Sequence, residues 1–164
     1  MEDPILGGFY STTKDGTEHI TGRRKPLEDN GLASRFLYVL SRYTKQDKYE
    51  KSAKKAIQAS ASDSIIRREG RIIGNLATAL EVITAGYVEF SVVSNTEDKK
   101  AQLLFDASSK VYEPRKIQHY EKPGRYPDAD HPVVYICSTA ACSRPLKTAD
   151  TIASAAAKFV VINR

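Results

Sequence analysis

The sequence predicts an α/β (or α+β) fold in which a three-helix N-terminal part packs on a small three-stranded, mainly parallel α/β unit. Three observations predict it. Apolar residues recur at helical spacing as far as Gly86, and short β-rich runs follow: "YVEFSVV" (87–93), "RKIQHY" (115–120) and "VVYICS" (133–138). A helix-like segment separates the first two runs and another closes the chain. Strand–helix–strand order argues for parallel pairing through right-handed crossovers.

The opening "GGFYSTTKDGTEHITGRRKPLEDNG" is rich in Gly, Thr and charge. A hairpin is expected about Lys14-Asp15-Gly16, because Asp-Gly supplies the positive φ of a tight turn. Leu32, Phe36, Val39, Leu40 and Tyr43 then form one apolar stripe at helical spacing. Asp47 with Glu50 makes a capping-box pattern that starts a second helix, whose stripe is Tyr49, Ala53, Ala56 and Ile57. So short a connection makes the two helices antiparallel neighbours. Ile72, Leu76, Leu80 and Ile83 supply a third stripe, stopped by Gly86. Leu37 and Ala33 lie beside the main stripe of the first helix, so these helices carry apolar surface on more than one face. They need a further layer, from the second half or from another chain.

In the second half, Val88, Phe90 and Val92 share one strand face, with Tyr87, Ser91 and Val93 on the other. A helix capped by Asn95 or Thr96 follows, burying Ala101, Leu104, Phe105 and Ser108. "EKPGRYPDADHP" reads as a loop, and "TADTIASAAAKFV" as a closing helix with Ile152, Ala156 and Phe159 facing inward.

The 164 residues suffice for one domain or two jointly packed parts, divided here as 1–86 and 87–164. No segment approaches the roughly 20 apolar residues of a membrane span, and "MEDPILGGFY" lacks the basic region and apolar core of a signal peptide. A cytoplasmic protein is expected. The net charge of +5 raises the question of nucleic acid. The basic residues are interleaved with acids, however, and no aromatic platform or recognised binding module accompanies them. Nucleic acid is therefore not an expected partner, and neither is a membrane.

Four stretches in this order, "GGFY", "RRKPLEDNGLAS", "YTKQDKYEKSAKKAI" and "VYICSTAACSRPLKTADTIA", resemble one known family. They are similar to the C-terminal end of thioredoxin-domain proteins that carry an (α/α) toroid related to N-acylglucosamine 2-epimerases, the spermatogenesis-associated thioredoxin-like proteins among them. Cys137, Cys142, Pro145 and Thr148 match the family's last segment. The resemblance implies a remnant of a toroid without the thioredoxin-like domain or most toroid helices. Where the family carries a proline-serine-glycine-asparagine-type segment, this chain reads "LASRF", in which Ser34 survives as a toroid-cavity candidate. An epimerase mechanism does not follow from that match.

Cys137 and Cys142 are five positions apart, unlike the C-x-x-C of thioredoxin-type motifs. Cys137 ends a strand on the face of Val133 and Tyr135, and a small-residue link lets the sulfurs approach. Arg144 lies near enough to Cys142 to favour its thiolate. The pair reads as a reversible or structural disulfide, or as two buried idle thiols. A Cys2His2 zinc set with His119 and His131 lacks the usual short ligand spacings, so no metal is expected, nor any other cofactor. In a parallel sheet, ligands bind beyond the strands' carboxyl ends. Here those ends are Ser94-Asn95-Thr96, at a helix start that attracts anions, and Ser138-Thr139. Simple helix capping is the competing explanation. Asp128, Asp130 and His131 form a solvated loop cluster, Glu18 and His19 alternate to opposite faces, and Ser34 has no evident base. No nucleophile–base pair is visible, so no catalytic residue is assigned and enzyme activity is left open.

The function expected is that of a non-catalytic or accessory C-terminal piece, associating with another chain (one carrying the missing thioredoxin-like and toroid parts) or with itself through its exposed helix faces. The alternative is a thiol-redox or carbohydrate-active protein using Cys137 and Cys142 or a toroid-derived pocket.

Overall fold

The structure, a computed structural model, describes residues 1–14, 22–94, 99–127 and 131–162. The chain divides between Thr84 and Ala85 into two compact units. Helices α1 (Leu27–Thr44), α2 (Asp47–Ser60), α3 (Asp63–Glu69) and α4 (Gly74–Ala85) build the first. The second contains β1 (Val88–Val93), α5 (Lys99–Ser109), β2 (Lys116–Glu121), β3 (Val133–Cys137) and α6 (Ala149–Ile162). The fold class is α/β, with the extra helices N-terminal.

Lys45 ends α1 in the left-handed conformation at φ 55, and only Gln46 separates it from α2. This turn makes the two helices neighbours, as their spacing predicts. The capping box does not form: Gln46 is the N-cap and makes no side-chain cap. Asp47 and Glu50 sit instead in the first turn, where the helix dipole favours acids. Glu50 pairs with Arg42 of α1 and with Lys54.

The face that α1 buries is not its apolar stripe. Asn30, Gly31, Ser34, Tyr38 and Ser41 are buried, whereas Leu32, Phe36 and Tyr43 are 56%, 64% and 51% exposed. Close approach explains the reversal. Ser34 Oγ donates to the Ala53 carbonyl at 2.7 Å, and Ala53 and Ala56 are fully buried, so the contact admits small side chains only. At Gly31 the approach is to α4, where an added Cβ would stand 2.7 Å from the Leu76 nitrogen. The stripe of α4 is likewise rotated from the expected one: Leu76, Ala79 and Val82 are buried, while Leu80 is exposed and Ile72 lies before the helix. Leu27, Ile57, Leu76 and Ala79 form the apolar centre, joined by Ile65 and Ile66 of α3, a helix the sequence reading did not assign.

Asn30 also ties down the N-terminal segment. Its side chain accepts from Phe9 N–H at 2.7 Å and donates to the carbonyls of Phe9 and Pro26. Asp3 organises the segment's other end, accepting from the N–H groups of Ile5 and Leu6, from Tyr10 OH and from Lys25 Nζ. The hairpin expected about Lys14-Asp15-Gly16 lies largely outside the described residues.

In the second unit the described strands form a sheet in the order β2-β1-β3. β1 and β2 run parallel through the α5 crossover, as the strand–helix–strand pattern predicts. β3 instead runs antiparallel to β1, so the sheet is mixed rather than mainly parallel. Among the described residues no helix lies between β2 and β3. Without a crossover element to carry the chain back along the sheet, the strand returns in the opposite direction.

One sheet face carries Val88, Phe90, Val92, Val134 and Ile136, packed under Ala101 and Leu104 of α5 and Ile152 and Ala156 of α6. Full burial of each large side chain here contributes about 1.5–3 kcal/mol. The inward faces expected for β1 and α5 are those observed. The side chain of Phe159 lies outside the described set.

Candidate functional site

The opposite face of the sheet is polar at its centre. Glu89 and Ser91 alternate on β1, and His119 and Glu121 alternate on β2; in the parallel register Ser91 stands beside His119 and Val93 beside Glu121. His119 Nε2 lies 3.1 Å from Glu89 Oε1 and 3.2 Å from Glu121 Oε2. Arg125, from the loop after β2, donates to Glu89 Oε1 at 2.8 Å and Oε2 at 3.3 Å, and to Glu121 Oε2 at 3.4 Å. Ser91 Oγ donates to Glu89 at 3.2 Å and in turn accepts from Tyr126 OH at 3.0 Å.

Glu89 is only 6% exposed. Burial opposes its ionisation, but the hydrogen bonds from His119 and Arg125 outweigh that cost and hold the carboxyl at about 2. The Glu89 hydrogen bond raises the pKa of His119 against the opposing effect of burial. Arg125 is raised above its ordinary value by the same carboxylate, and burial raises the Tyr126 phenol.

This cluster does not suit nucleophilic catalysis. A serine–histidine–carboxylate relay uses opposite ring nitrogens for its two partners. Here Ser91 and both carboxylates converge on His119 Nε2, and Ser91 is fully buried. The arrangement can hold a proton or a cation. Glu89, His119 and Glu121 present one ligand atom each, all within 4.8 Å of one another. From the sequence no metal is expected, since His119 with His131 and the cysteines lacks short ligand spacings; the fold brings His119 to two glutamates instead.

Cys137 and Cys142 are joined by a disulfide. They face each other across a tight hairpin closed by Ser138 N–H to the Ala141 carbonyl and Ser143 N–H to the Ile136 carbonyl. This arrangement replaces the reading of two idle thiols. Cys137 is buried with Val133 and Tyr135, on the face expected of it, while Cys142 is exposed. Tyr126 OH lies 3.6 Å from Cys137 Sγ.

The ligand candidates at the strand ends do not converge. Ser94 follows β1 at one end of the sheet, whereas the antiparallel course of β3 puts Ser138 and Thr139 at the other. Ser138 Oγ accepts from Ala140 and Ala141 N–H, capping its own turn. Asn95, Thr96, Asp128, Asp130, Glu18 and His19 lie outside the described residues. Ser34 is locked between α1 and α2 by its bond to Ala53 and does not line the groove along α1. Its neighbour Ala33 does, in a groove of about 710 Å³ that also takes in Phe9, Tyr10, Pro26, Leu32 and Phe36.

Glu89, Ser91, Glu121, Arg125 and Tyr126 escaped the sequence reading as a site. The available signal was parity: polar residues at period two in "EFS", on an otherwise apolar strand, and in "HYE". Among the described residues no helix is long and apolar enough to cross a membrane. Compared with protein-family models, with curated proteins and with solved structures, the chain matches none.

Proposed function

We propose that this chain is a non-catalytic accessory module that works by association, its first unit receiving an amphipathic helix of another chain along α1. The observation that carries this reading is the outward stripe of α1. Leu32, Phe36 and Tyr43 stay exposed because the helix's other face is committed to small-residue contacts. Leu32 and Phe36 are four residues apart and share the groove with Phe9, Tyr10 and Pro26, a spacing that suits another helix. The resemblance to the C-terminal end of the thioredoxin-domain toroid family supports the choice of partner: a chain carrying toroid helices.

The test is the mass of the intact assembly isolated at native expression level, with its components identified by mass spectrometry. A complex with a helical toroid chain, lost in Phe36→Asp, is the expected result. A homodimer that Phe36→Asp dissociates would overturn the choice of partner. A monomer that binds no apolar dye would sink the association reading itself.

A competing reading, thiol redox, draws on the exposed Cys142 half of the disulfide. Replacing Cys142 by Ser without any effect on thiol exchange with a small dithiol would remove it.

A further inference from the structure

We propose that Glu89, His119 and Glu121 form a binding site for one divalent zinc-class ion. One imidazole nitrogen and two carboxylate oxygens make a donor set that zinc accepts. Three protein ligands are also the number found where a fourth position is left for water or another ligand.

The spacing fits. A tetrahedral ion with bonds of roughly 2.0–2.1 Å separates its ligand atoms by roughly 3.3 Å. The distances from His119 Nε2 to Glu89 Oε1 and Glu121 Oε2 are 3.1 and 3.2 Å. Small side-chain adjustments about His119 Nε2 would admit the ion. The donors rest on paired strands: His119 and Glu121 are two residues apart on β2, and Glu89 is on the adjacent β1. Sites built on such elements are held more closely than sites on loops.

Charge favours a cation as well. The ion takes the place of the proton on His119 Nε2, and with His119 neutral Glu89 and Glu121 carry two negative charges against the single positive charge of Arg125. Arg125 touches both glutamates, most closely Glu89 Oε1 at 2.8 Å, and is therefore a resident competitor: the ion displaces it from Oε1 and leaves it the contact with Oε2. If the cluster were an ion-pair network alone, it would bind no metal, and losing Arg125 would simply weaken it. The metal reading predicts the opposite for Arg125. This inference does not depend on the association proposed above, since it concerns the second unit only.

The experiment is calorimetric titration of the chelator-treated full chain with Zn²⁺, without reductant so that the disulfide stays closed. Co²⁺ absorption serves as a second readout. One equivalent should bind, with the visible bands of tetrahedral cobalt. Glu121→Gln and His119→Gln should each weaken binding by more than the roughly 10–100-fold typical of a lost outer partner. Arg125→Met should tighten it by about tenfold, because a like charge beside the ion is removed. If the substitutions unfold the chain, NMR of the unaltered protein decides: Zn²⁺ must shift the His119 ring signals and leave those of His131 in place. Absence of a one-equivalent site, binding that survives both ligand substitutions, or a shift at His131 instead of His119 would overturn the proposal.

Discussion

Tyr126 lies flat on Tyr135, with ring centroids 4.3 Å apart and planes 9° from parallel. Through this stack the loop after β2 is laid against β3, and the Tyr126 hydroxyl reaches Ser91 on the central strand. Removing only the hydroxyl, in Tyr126→Phe, should keep the stack and cost about 1 kcal/mol in urea unfolding. Tyr126→Ala should lose at least about a further 1 kcal/mol with the ring pair. Equal losses for the two variants would show that the stack contributes nothing.

Asn30 is fully buried and satisfies three backbone groups of the N-terminal segment and the start of α1. Asn30→Ala leaves the Phe9 amide without its acceptor. We expect a loss of about 2–3 kcal/mol, with faster amide exchange at Phe9. Because Phe9 lines the groove beside Leu32 and Phe36, helix binding there should weaken in the same variant.

Gly31 marks the closest approach of α1 to α4, with backbone rather than a movable side chain in the way of any Cβ. Gly31→Ala should therefore destabilise the first unit by about 1–3 kcal/mol, although alanine favours helix. Unchanged thermal stability would mean that the helices separate freely here.

Asp3 is held well below the usual carboxylate range, first by the Lys25 hydrogen bond and then by the N–H groups of Leu6 and Ile5. A lowered folded value contributes stability that is present above the unfolded pKa, about 4, and is lost as pH falls through the folded value. Amide protection at Ile5 and Leu6 should fall on acidification below pH ~4. Asp3→Asn should flatten that dependence, and an identical acid profile in the variant would refute the assignment.

The Cys137–Cys142 disulfide closes a very short loop. Cross-linking so few residues constrains the unfolded chain modestly, so reduction or Cys142→Ser should lower unfolding free energy by about 2 kcal/mol. Matching denaturation curves with and without a dithiol would contradict this.

Much of the fold was legible along the chain. Alternation identified the inner face of β1 at Val88, Phe90 and Val92, and helical spacing identified Ala101 and Leu104 on α5 and Ala53 and Ala56 on α2. Both patterns are local, and burial follows them because one side of each element is apolar. The candidate site was far less legible. Glu89, His119, Glu121 and Arg125 come from two strands and a loop, and no short window contains them together.

By itself, then, the sequence determined where most helices and strands form, the short α3 excepted, and which sides of them are apolar. Only the tertiary structure decided which of those sides is used. The apolar stripe of α1 was real, yet close contact with α2 and α4 selected Gly31 and Ser34 for the interface and left Leu32 and Phe36 outside. The direction of β3 was likewise a tertiary matter, since an extended run has the same period either way and its orientation depends on the length and route of the connection before it. Periodicity reports the chemistry of an element's faces. Their partners are set by steric fit and by hydrogen bonds between residues far apart in the chain.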